Sequence, residues 1–335
     1  MRRDAFILAA GFGTRLRPLT TERPKPLVPL CGVPMLSYAL HQCAHHGLRR
    51  VVINAHWLSE QVAHWAGERE GCDVEVVIER PDILGTGGGL RNVMQRLGDR
   101  VAVLNADVIH NVNLRALIEG TPRGGACLAL RQHTEDAQRY GVVATDAEGC
   151  VVDLAGVAQT TGVGEIDRST HFTGIHALDR QVLERVPEGF ACIVRSAYSE
   201  LVAERKLCGL NKPVHWIDAG DPAAYLEANL DVLRGDVPTT LDPMVRATAS
   251  RNAKGEHGSH PTRLRDAEVL GDVWIGEDVA LGAGARLEGV ILGRGAKVPA
   301  NADLRRVVVW DGAEVPDRPL RDAIVTHETV VELPR

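Results

Sequence analysis

The chain has 335 residues, of which 44% are hydrophobic and 24% are charged, and it carries a formal net charge of −6. This length can bury one large hydrophobic core or two smaller ones, and two domains are the expectation. The acidic balance provides no basic surface for nucleic acid or for an anionic membrane, so we expect the lysines and arginines to serve local anion sites.

The cysteines and the hydropathy pattern indicate the compartment. None of the seven cysteines forms a C-x-x-C pair, and their odd number argues against a disulfide framework. The sequence shows no secretory signal and no apolar stretch long enough to span a membrane. We therefore expect a soluble, cytoplasmic protein with reduced thiols.

The first apolar run, residues 6–10, predicts a buried parallel strand that breaks at Gly11-Phe12-Gly13-Thr14. Two glycines let the backbone turn sharply and bring its N–H groups close to a ligand, although they are also common in plain strand-to-helix turns. With Arg15 and Arg17 beside them, these amides would bind a polyphosphate. Two Xaa-Pro steps predict an extended chain around Lys25, whose ammonium would face the same anion.

Strands alternate with helices in the next hundred residues. Apolar runs predict strands at 51–54, 74–78 and 101–104. Amphipathic spacing predicts helices at 33–47, 59–67 and 90–97. This alternation predicts an α/β fold, a Rossmann-like doubly wound and mostly parallel sheet with its ligand crevice at the C-terminal strand ends.

The motif Gly11-Phe12-Gly13-Thr14-Arg15-Leu16-Arg17-Pro18-Leu19-Thr20, followed by Pro24-Lys25-Pro26-Leu27, resembles the signature of the sugar-1-phosphate nucleotidyltransferases. The resemblance implies an enzyme that transfers a nucleotidyl group from an NTP to a sugar 1-phosphate and releases pyrophosphate. It also implies a nucleotide site around the first motif, with the residues Leu8, Ala10, Gly11, Gly13, Thr14 and Arg15. Arg15 and Lys25 would act on the phosphates.

The glycine-rich stretch 84–89 predicts a second ligand turn, with a merely flexible loop as the alternative. The family has a glycine-containing turn against the nucleobase, and Gly85 and Thr86 match it. Glu79 just upstream could hydrogen-bond a base edge, or it could be a solvated carboxylate at a strand end. Asn105, near the end of a later strand, is assigned to the nucleotide site as well.

Two aspartates match the family's metal ligands. Asp107 ends an apolar strand, and Asp218 lies in Trp216-Ile217-Asp218-Ala219-Gly220, which resembles the family's W-x-D-x-G. The resemblance implies that both hold Mg²⁺, which would offset charge on the triphosphate and on the leaving pyrophosphate. The alternative for Asp107 is an N-cap of the next element, and the alternative for Asp218 is a turn before the following helix.

The sugar pocket departs from the family pattern. Asp153-Leu154-Ala155-Gly156 stands where the family has Glu-Lys-Pro, and Phe172-Thr173-Gly174 stands where it has Asn-Ala-Gly. Gly141 matches a glycine whose amide faces the sugar. We therefore assign Gly141 and Thr173 to the sugar phosphate, with Arg195 as a replacement phosphate ligand.

The C-terminal region shows an internal repeat. Ile275, Leu281 and Leu287 are six residues apart, and Ile275, Leu292 and Val309 recur every 17. Such hexads predict a short left-handed parallel β-helix. We expect a catalytic domain at 1–237, a linker at 238–265 and the β-helix at 266–335. The repeat has no evident catalytic histidine, which favours a role in homo-oligomer assembly or regulation over an acyltransferase. We therefore expect that removal of residues 262–335 spares activity.

The base and the sugar stay open. Leu84-Gly85-Thr86, residues 104–109 and the β-helix look like mannose-1-phosphate guanylyltransferases. Phe172-Thr173-Gly174 and the missing Glu-Lys-Pro look like N-acetylmuramate-1-phosphate uridylyltransferases. GTP with mannose 1-phosphate is the first expectation, UTP is the alternative, and a non-catalytic regulatory paralogue is the third possibility.

Overall fold

The computed structural model describes residues 2–67, 72–132, 134–160, 166–212, 214–241, 249–251 and 267–334, so most of the predicted linker lies outside the described residues. The chain separates into two compact units. The first comprises Met1–Phe12, Ala39–Ala106 and Asn111–Trp216, and the second comprises Gly13–Tyr38, Asp107–His110 and Ile217–Arg335. Within the described part of the chain, no helix has the length and apolar character needed to cross a membrane.

The strands are short and numerous. In chain order they are β1 (Arg3–Leu8), β2 (Pro29–Leu30), β3 (Val33–Pro34), β4 (Arg50–Ala55), β5 (Asp73–Ile78), β6 (Arg100–Asn105), β7 (Val108–His110), β8 (Ala126–Gln132), β9 (Val142–Thr145), β10 (Val151–Leu154), β11 (Asp167–Asp179), β12 (Leu207–Asn211), β13 (Trp216–Asp218), β14 (Ala249–Arg251), β15 (Glu268–Val269), β16 (Val273–Ile275), β17 (Ala280–Leu281), β18 (Arg286–Leu292), β19 (Lys297–Val298), β20 (Asp303–Val309), β21 (Leu320–Val325) and β22 (Val330–Glu332).

The α-helices are α1 (Leu19–Glu22), α2 (Met35–His45), α3 (Ser59–Gly67), α4 (Gly85–Asn92), α5 (Leu114–Gly120), α6 (Thr134–Tyr140), α7 (Ser199–Ala203) and α8 (Pro222–Arg234). Short 3₁₀ turns occur at Thr14–Leu16, Lys25–Leu27, Met94–Arg96 and Arg180–Arg185, and a π-helical turn occurs at Val194–Tyr198.

The first unit is built on a mixed sheet of nine strands. Its order is β10-β9-β11-β6-β1-β4-β5, with β8 paired to β11 and β12 paired to β8. Strands β6, β1, β4 and β5 run parallel, and β11 is antiparallel to β6. The centres of β1, β4 and β6 are continuous buried apolar runs, as a parallel strand covered on both faces requires. The prediction of an α/β fold with a parallel sheet is confirmed for this part of the chain.

The long strand β11 was not predicted from the sequence. Its 13 residues lie between β6, β8 and β9, and five of its buried residues are polar: Thr170, His171, Thr173, His176 and Asp179. Because these side chains interrupt the apolar pattern, a period of two or a continuous apolar run is not visible in the sequence.

The second unit ends in a stack of parallel strands, which we call the C-terminal stack (residues 268–332). Strands β16, β18, β20 and β21 pair in parallel with Val273, Val290, Val307 and Ala323 in register, so three strand intervals are 17, 17 and 16 residues. Strands β17 and β19 form a second small sheet. Antiparallel strands β14 and β22 cover the two outer strands β16 and β21, so both edges of the stack are paired.

The repeat predicted from the sequence supplies the interior of this stack. Ile275, Leu292 and Val309 are each at most 1% exposed, and they pack in one core with residues of α8 and of the segment after Phe12. The core of the second unit therefore includes N-terminal and C-terminal parts of the chain.

Candidate active site

The segment that follows β1 is held in shape by its own side chains. Gly13 has a left-handed backbone (φ 63°), and an added Cβ would lie 2.8 Å from Thr20 Cγ2 and 3.1 Å from Lys25 Cβ. The Thr20 hydroxyl donates a hydrogen bond to the Gly13 carbonyl at 2.8 Å. Gly13 is therefore required by the local packing and by its backbone conformation.

Gly11 is different. An added Cβ there would meet nothing within 4 Å, and its φ is outside the left-handed region. No neighbour in the described part of the chain explains why this position lacks a side chain. The open space above Gly11 is available to a ligand.

Lys25 is not in the extended chain that we predicted. Leu19–Glu22 is helical and Lys25–Leu27 forms a 3₁₀ turn, closed by the hydrogen bond from Val28 N to Lys25 O at 3.1 Å. Lys25 is 9% exposed, and its ammonium donates to a carboxylate oxygen of Asp107. The structure thus holds Lys25 in a fixed place through the turn and the ion pair.

The two predicted metal aspartates lie at neighbouring strand ends, because Asp107 directly precedes β7 and Asp218 is the last residue of β13. Strand β7 pairs with β13, and Ala219 N donates to the Asp107 carbonyl at 3.4 Å, directly after Asp218. Arg15 Nη2 lies 3.7 Å from Asp218 Oδ2. The structure brings the four predicted catalytic residues together within the second unit, as two cation–carboxylate pairs.

Gly220 leaves room for one of these pairs. An added Cβ would lie 3.0 Å from both Arg15 Nη2 and Asp218 Oδ1. Both distances are tighter than ordinary contacts, so a side chain at this position would displace the arginine or the carboxylate.

The two aspartates suit a cation that takes some of its ligands from the protein and the others from water and substrate. Among the described residues, no group of three or more His, Cys, Asp or Glu is arranged to hold a metal ion. Mg²⁺ is usually bound by one or two carboxylates, with the other positions taken by water and substrate phosphates. Asp107 and Asp218 fit that pattern, and they do not form a closed protein cage.

Glu79, in the first unit, has a different role from the one predicted. It is 2% exposed, its Oε1 accepts from Asn54 Nδ2 at 2.8 Å, and its Oε2 accepts from Leu84 N at 2.8 Å. Asn54 Oδ1 in turn accepts from Ala9 N at 2.8 Å. Both carboxylate oxygens are engaged within the fold, so Glu79 fixes the turn before α4 and is not available to a base edge.

The glycine-rich stretch is helical, which corrects the prediction of a turn followed by a helix at 90–97. Helix α4 begins at Gly85, which has a φ of 70°. A Cβ at Gly87 would lie 2.9 Å from Ile193 N, and a Cβ at Gly88 would overlap the Gly189 carbonyl oxygen. Glycine costs about 1 kcal/mol in a helix relative to alanine, which explains why the sequence favoured a turn. Here the glycines let the helix pack directly on the 189–193 backbone.

Thr86 contributes to the same contact. Its hydroxyl oxygen accepts from Ile193 N at 3.2 Å, and Gly87 N donates to Ala191 O at 2.8 Å. These hydrogen bonds tie the start of α4, which was predicted as a turn facing a nucleobase, to the backbone of residues 191–193.

With this geometry established, comparisons with known proteins identify the family. A family model described as nucleotidyl transferase matches residues 4–235. The chain belongs to the nucleotidyl transferase family. The resemblance to sugar-1-phosphate nucleotidyltransferases that the motifs indicated is confirmed.

Two curated relatives and one solved structure illustrate what this transferase is similar to. It is 30% identical to a mannose-1-phosphate guanylyltransferase of Mycobacterium tuberculosis, over 90% of this chain and 83% of that protein. It is 30% identical to an N-acetylmuramate alpha-1-phosphate uridylyltransferase of Caulobacter vibrioides, over 67% of this chain and 94% of that protein. The crystal structure of HddC from Yersinia pseudotuberculosis matches with a TM-score of 0.54 and 21% identity, covering 68% of this chain and 98% of that one, which shows the fold alone.

Two of the three residues predicted for the sugar phosphate of the transferase, Gly141 and Thr173, lie beside an aromatic cluster in the first unit. Tyr140 and His171 stack with ring centroids 5.8 Å apart, and each lies 5.4 Å from the ring of Trp216. Gly141 follows Tyr140 with a φ of 94°, and the Thr173 carbonyl accepts from Trp216 Nε1 at 2.9 Å. Trp216 was predicted only as part of the motif around Asp218, because its partners in this cluster are distant in sequence.

The side chains of three further predicted residues, Thr173, Asn105 and Arg195, lie in different environments. Thr173 is buried, and its hydroxyl donates to Ala129 O at 2.8 Å. Asn105 lies against Gly174, where an added Cβ would be 2.5 Å from Asn105 Nδ2. Arg195 is exposed on the π-helical turn. Among the described residues, no hydrogen bond links it to Gly141 or Thr173.

Proposed function

We propose that this transferase moves a guanylyl group from GTP to mannose 1-phosphate or a related sugar phosphate and releases pyrophosphate. Its family provides the general reaction, nucleotidyl transfer to a sugar 1-phosphate. The observation that carries the finer choice is coverage: similarity to the guanylyltransferase extends over 90% of this chain. The uridylyltransferase matches only 67% of this chain although 94% of its own length is used. The uridylyltransferase therefore has no counterpart for most of the remaining third of this chain.

In this reaction a phosphate oxygen of the sugar 1-phosphate attacks the α-phosphorus of the NTP. The bond from that phosphorus to the oxygen bridging to the β-phosphate breaks, and pyrophosphate leaves with the electron pair. A phosphate monoester is already largely a dianion at neutral pH, so no general base is required. Positioning and charge neutralisation are then the main contributions of the protein.

The two cations of the site are the natural phosphate ligands. We propose that Arg15 and the backbone amides of residues 11–14 bind the β- and γ-phosphates. Lys25 would neutralise charge near the α-phosphate. Support comes from the open space at Gly11. It also comes from the two ion pairs, in which Arg15 contacts Asp218 and Lys25 contacts Asp107. A polyphosphate would offer each cation a second anionic partner.

We propose that Asp107 and Asp218 hold Mg²⁺. The support is that Asp107 directly precedes β7 and Asp218 ends β13, two strands that pair with each other. Two carboxylates would leave the other positions of the ion to phosphate and water. When bound, the ion would offset charge on the triphosphate and on the leaving pyrophosphate.

Base and sugar contacts are proposed for other residues of the chain. We propose that the start of α4, at Gly85 and Thr86, contacts the nucleobase, with Glu79 and the 189–193 backbone holding it in place. The other nucleotide contacts would come from backbone or side-chain atoms of Leu8, Ala10, Gly13, Thr14 and Asn105. Gly141, Thr173 and Arg195 are proposed for the sugar phosphate.

We further propose that the C-terminal stack is the left-handed parallel β-helix predicted from the hexads. Its support is the 17-residue register of β16, β18 and β20 and the second sheet of β17 and β19. Homo-oligomer formation stays a prediction, to be tested by light scattering on the whole chain.

A uridylyltransferase is the second candidate function. It is favoured by the similarity to the Caulobacter vibrioides protein and by Phe172-Thr173-Gly174. A regulatory paralogue without turnover is disfavoured, because the charged residues expected for catalysis are all retained.

A substrate matrix tests these choices. GTP and UTP would each be paired with mannose 1-phosphate and with N-acetylmuramate 1-phosphate, and pyrophosphate release would be followed with Asp107→Asn as the control. We expect GTP with mannose 1-phosphate to give the highest kcat/KM. Preference for UTP with N-acetylmuramate 1-phosphate would favour the second candidate, and no turnover with any pair would favour the paralogue.

A further inference from the structure

The segment that carries Lys25 is anchored by the C-terminal stack on its N-terminal side. The Thr326 hydroxyl, directly after β21, donates a hydrogen bond to the Glu22 carboxylate. The guanidinium carbon of Arg23 lies 5.1 Å from the ring centroid of Trp310, directly after β20, in a cation–π arrangement. Two successive strand ends therefore contact the residues just before Lys25.

The same stack anchors the chain on the C-terminal side of Lys25. The Tyr225 hydroxyl, on α8, donates to the Pro29 carbonyl, and Trp310 Nε1 donates to that hydroxyl at 3.2 Å. Tyr225 and Trp310 are at most 1% exposed. Trp310 thus reaches Arg23 with its ring face and Pro29 through Tyr225, on both sides of the lysine.

A third anchor holds the hairpin of β2 and β3. Cys31 N donates to Asn229 Oδ1 at 2.8 Å. Gly32 has a φ of 67°, and an added Cβ would overlap the indole of Trp274 in β16. The backbone from Pro29 to Gly32 is therefore fitted closely to α8 and to the stack.

We infer that Trp310 is a positioning residue for Lys25, acting through Arg23 and Tyr225. A lysine side chain has four rotatable bonds, so its ammonium keeps one place only if the backbone on both sides is fixed. The effect on turnover rests on the proposed function of Lys25, but the effect on its position does not. The inference also revises the expectation that residues 262–335 are dispensable for activity, because their removal takes away Trp310, Trp274 and Thr326.

The test measures the position of Lys25 without relying on activity. Competitive acetylation followed by mass spectrometry reports the reactivity of each lysine amine. Arg23→Leu and Tyr225→Phe each remove one link, and Trp310→Phe removes the indole N–H. We expect each change to raise acetylation of Lys25 severalfold, up to about tenfold, because Tyr225→Phe and Trp310→Phe remove hydrogen bonds and Arg23→Leu removes the cation–π contact. The exposed Lys297 is an internal reference whose rate should not change.

Matched variants separate positioning from general loss of stability. Arg23→Lys keeps a cation over the Trp310 ring and should keep wild-type reactivity of Lys25. Leu128→Ala removes a fully buried side chain from the core of the first unit, so it should lower stability without changing Lys25 reactivity.

The kinetic readout distinguishes the inference from the proposed function. Raised Lys25 acetylation with a lower kcat and an NTP KM within about twofold supports both. Raised acetylation with unchanged kcat supports positioning and overturns the role of Lys25 in transfer. Unchanged acetylation in Arg23→Leu and Tyr225→Phe overturns the inference, whether or not Trp310→Phe folds.

Discussion

Replacing Lys25 with methionine keeps most of the side-chain volume and removes only the charge. The Lys25 and Asp107 side chains are 11% and 24% exposed, so their ion pair is sheltered from water. A hydrogen bond between charged groups contributes about 1.5–3 kcal/mol. We therefore expect Lys25→Met and Asp107→Asn each to lower the free energy of unfolding by about 2 kcal/mol. The double variant should also lose about 2 kcal/mol, not the roughly 4 kcal/mol of two independent sites.

Turnover should respond more strongly than stability. A charged donor aimed at the transferring phosphoryl group typically contributes about 10²–10³-fold to kcat, and Lys25→Met should lose that factor with little change in NTP affinity. Urea unfolding without metal measures the first effect, and pyrophosphate release at saturating Mg²⁺ measures the second. Losses of stability that add in the double variant would refute the ion pair. A raised KM with unchanged kcat would refute the assigned role in transfer.

Three further predictions concern other sites. Arg15→Ala should weaken NTP binding by titration calorimetry and lower kcat as well, whereas a change in neither would remove it from the phosphate site. Gly88→Ala should lower the free energy of unfolding by about 2 kcal/mol, because its Cβ would overlap the Gly189 carbonyl. Gly67→Ala, with open space around it, should not destabilise, and equal effects would contradict the packing argument. Burial lowers the pKa of His176 to about 4 from an ordinary value of 6.5, so the neutral ring favours folding above pH 6.5 and that contribution is lost as the pH falls towards 4. His176→Gln should make unfolding free energies less dependent on pH over that window, and an unchanged slope would contradict this.

Much of the fold could be predicted because its signals are local. The apolar runs of β1, β4 and β6 occupy consecutive residues, and the aliphatic residues of the C-terminal stack recur at a fixed spacing, so both patterns are visible in the sequence. Strand β11 escaped prediction because its buried threonines and histidines are stabilised by hydrogen bonds and ring packing with partners distant in sequence. Helix α4 escaped because its glycines fit a neighbouring backbone that sequence patterns do not reveal.

The candidate site was partly predictable for the same reason. Arg15, Lys25 and the two aspartates belong to short motifs, and the structure brings them together. Glu79 was assigned to the base from its place near a strand end, but its carboxylate satisfies Asn54 and Leu84 instead. The anchoring of the Lys25 segment by Trp310 links residues almost 300 positions apart, and no local pattern indicates it.

The central claim is nucleotidyl transfer to a sugar 1-phosphate, and the fate of labelled phosphate tests it most directly. Whole protein would be incubated with Mg²⁺, mannose 1-phosphate and GTP labelled either at the α- or at the γ-phosphate. The account predicts that the α-label appears in a sugar nucleotide and the γ-label in pyrophosphate, in equal amounts. Labelled inorganic phosphate without sugar nucleotide would contradict it. So would an α-label that stays in the NTP when GTP and UTP are each supplied with mannose 1-phosphate and with N-acetylmuramate 1-phosphate.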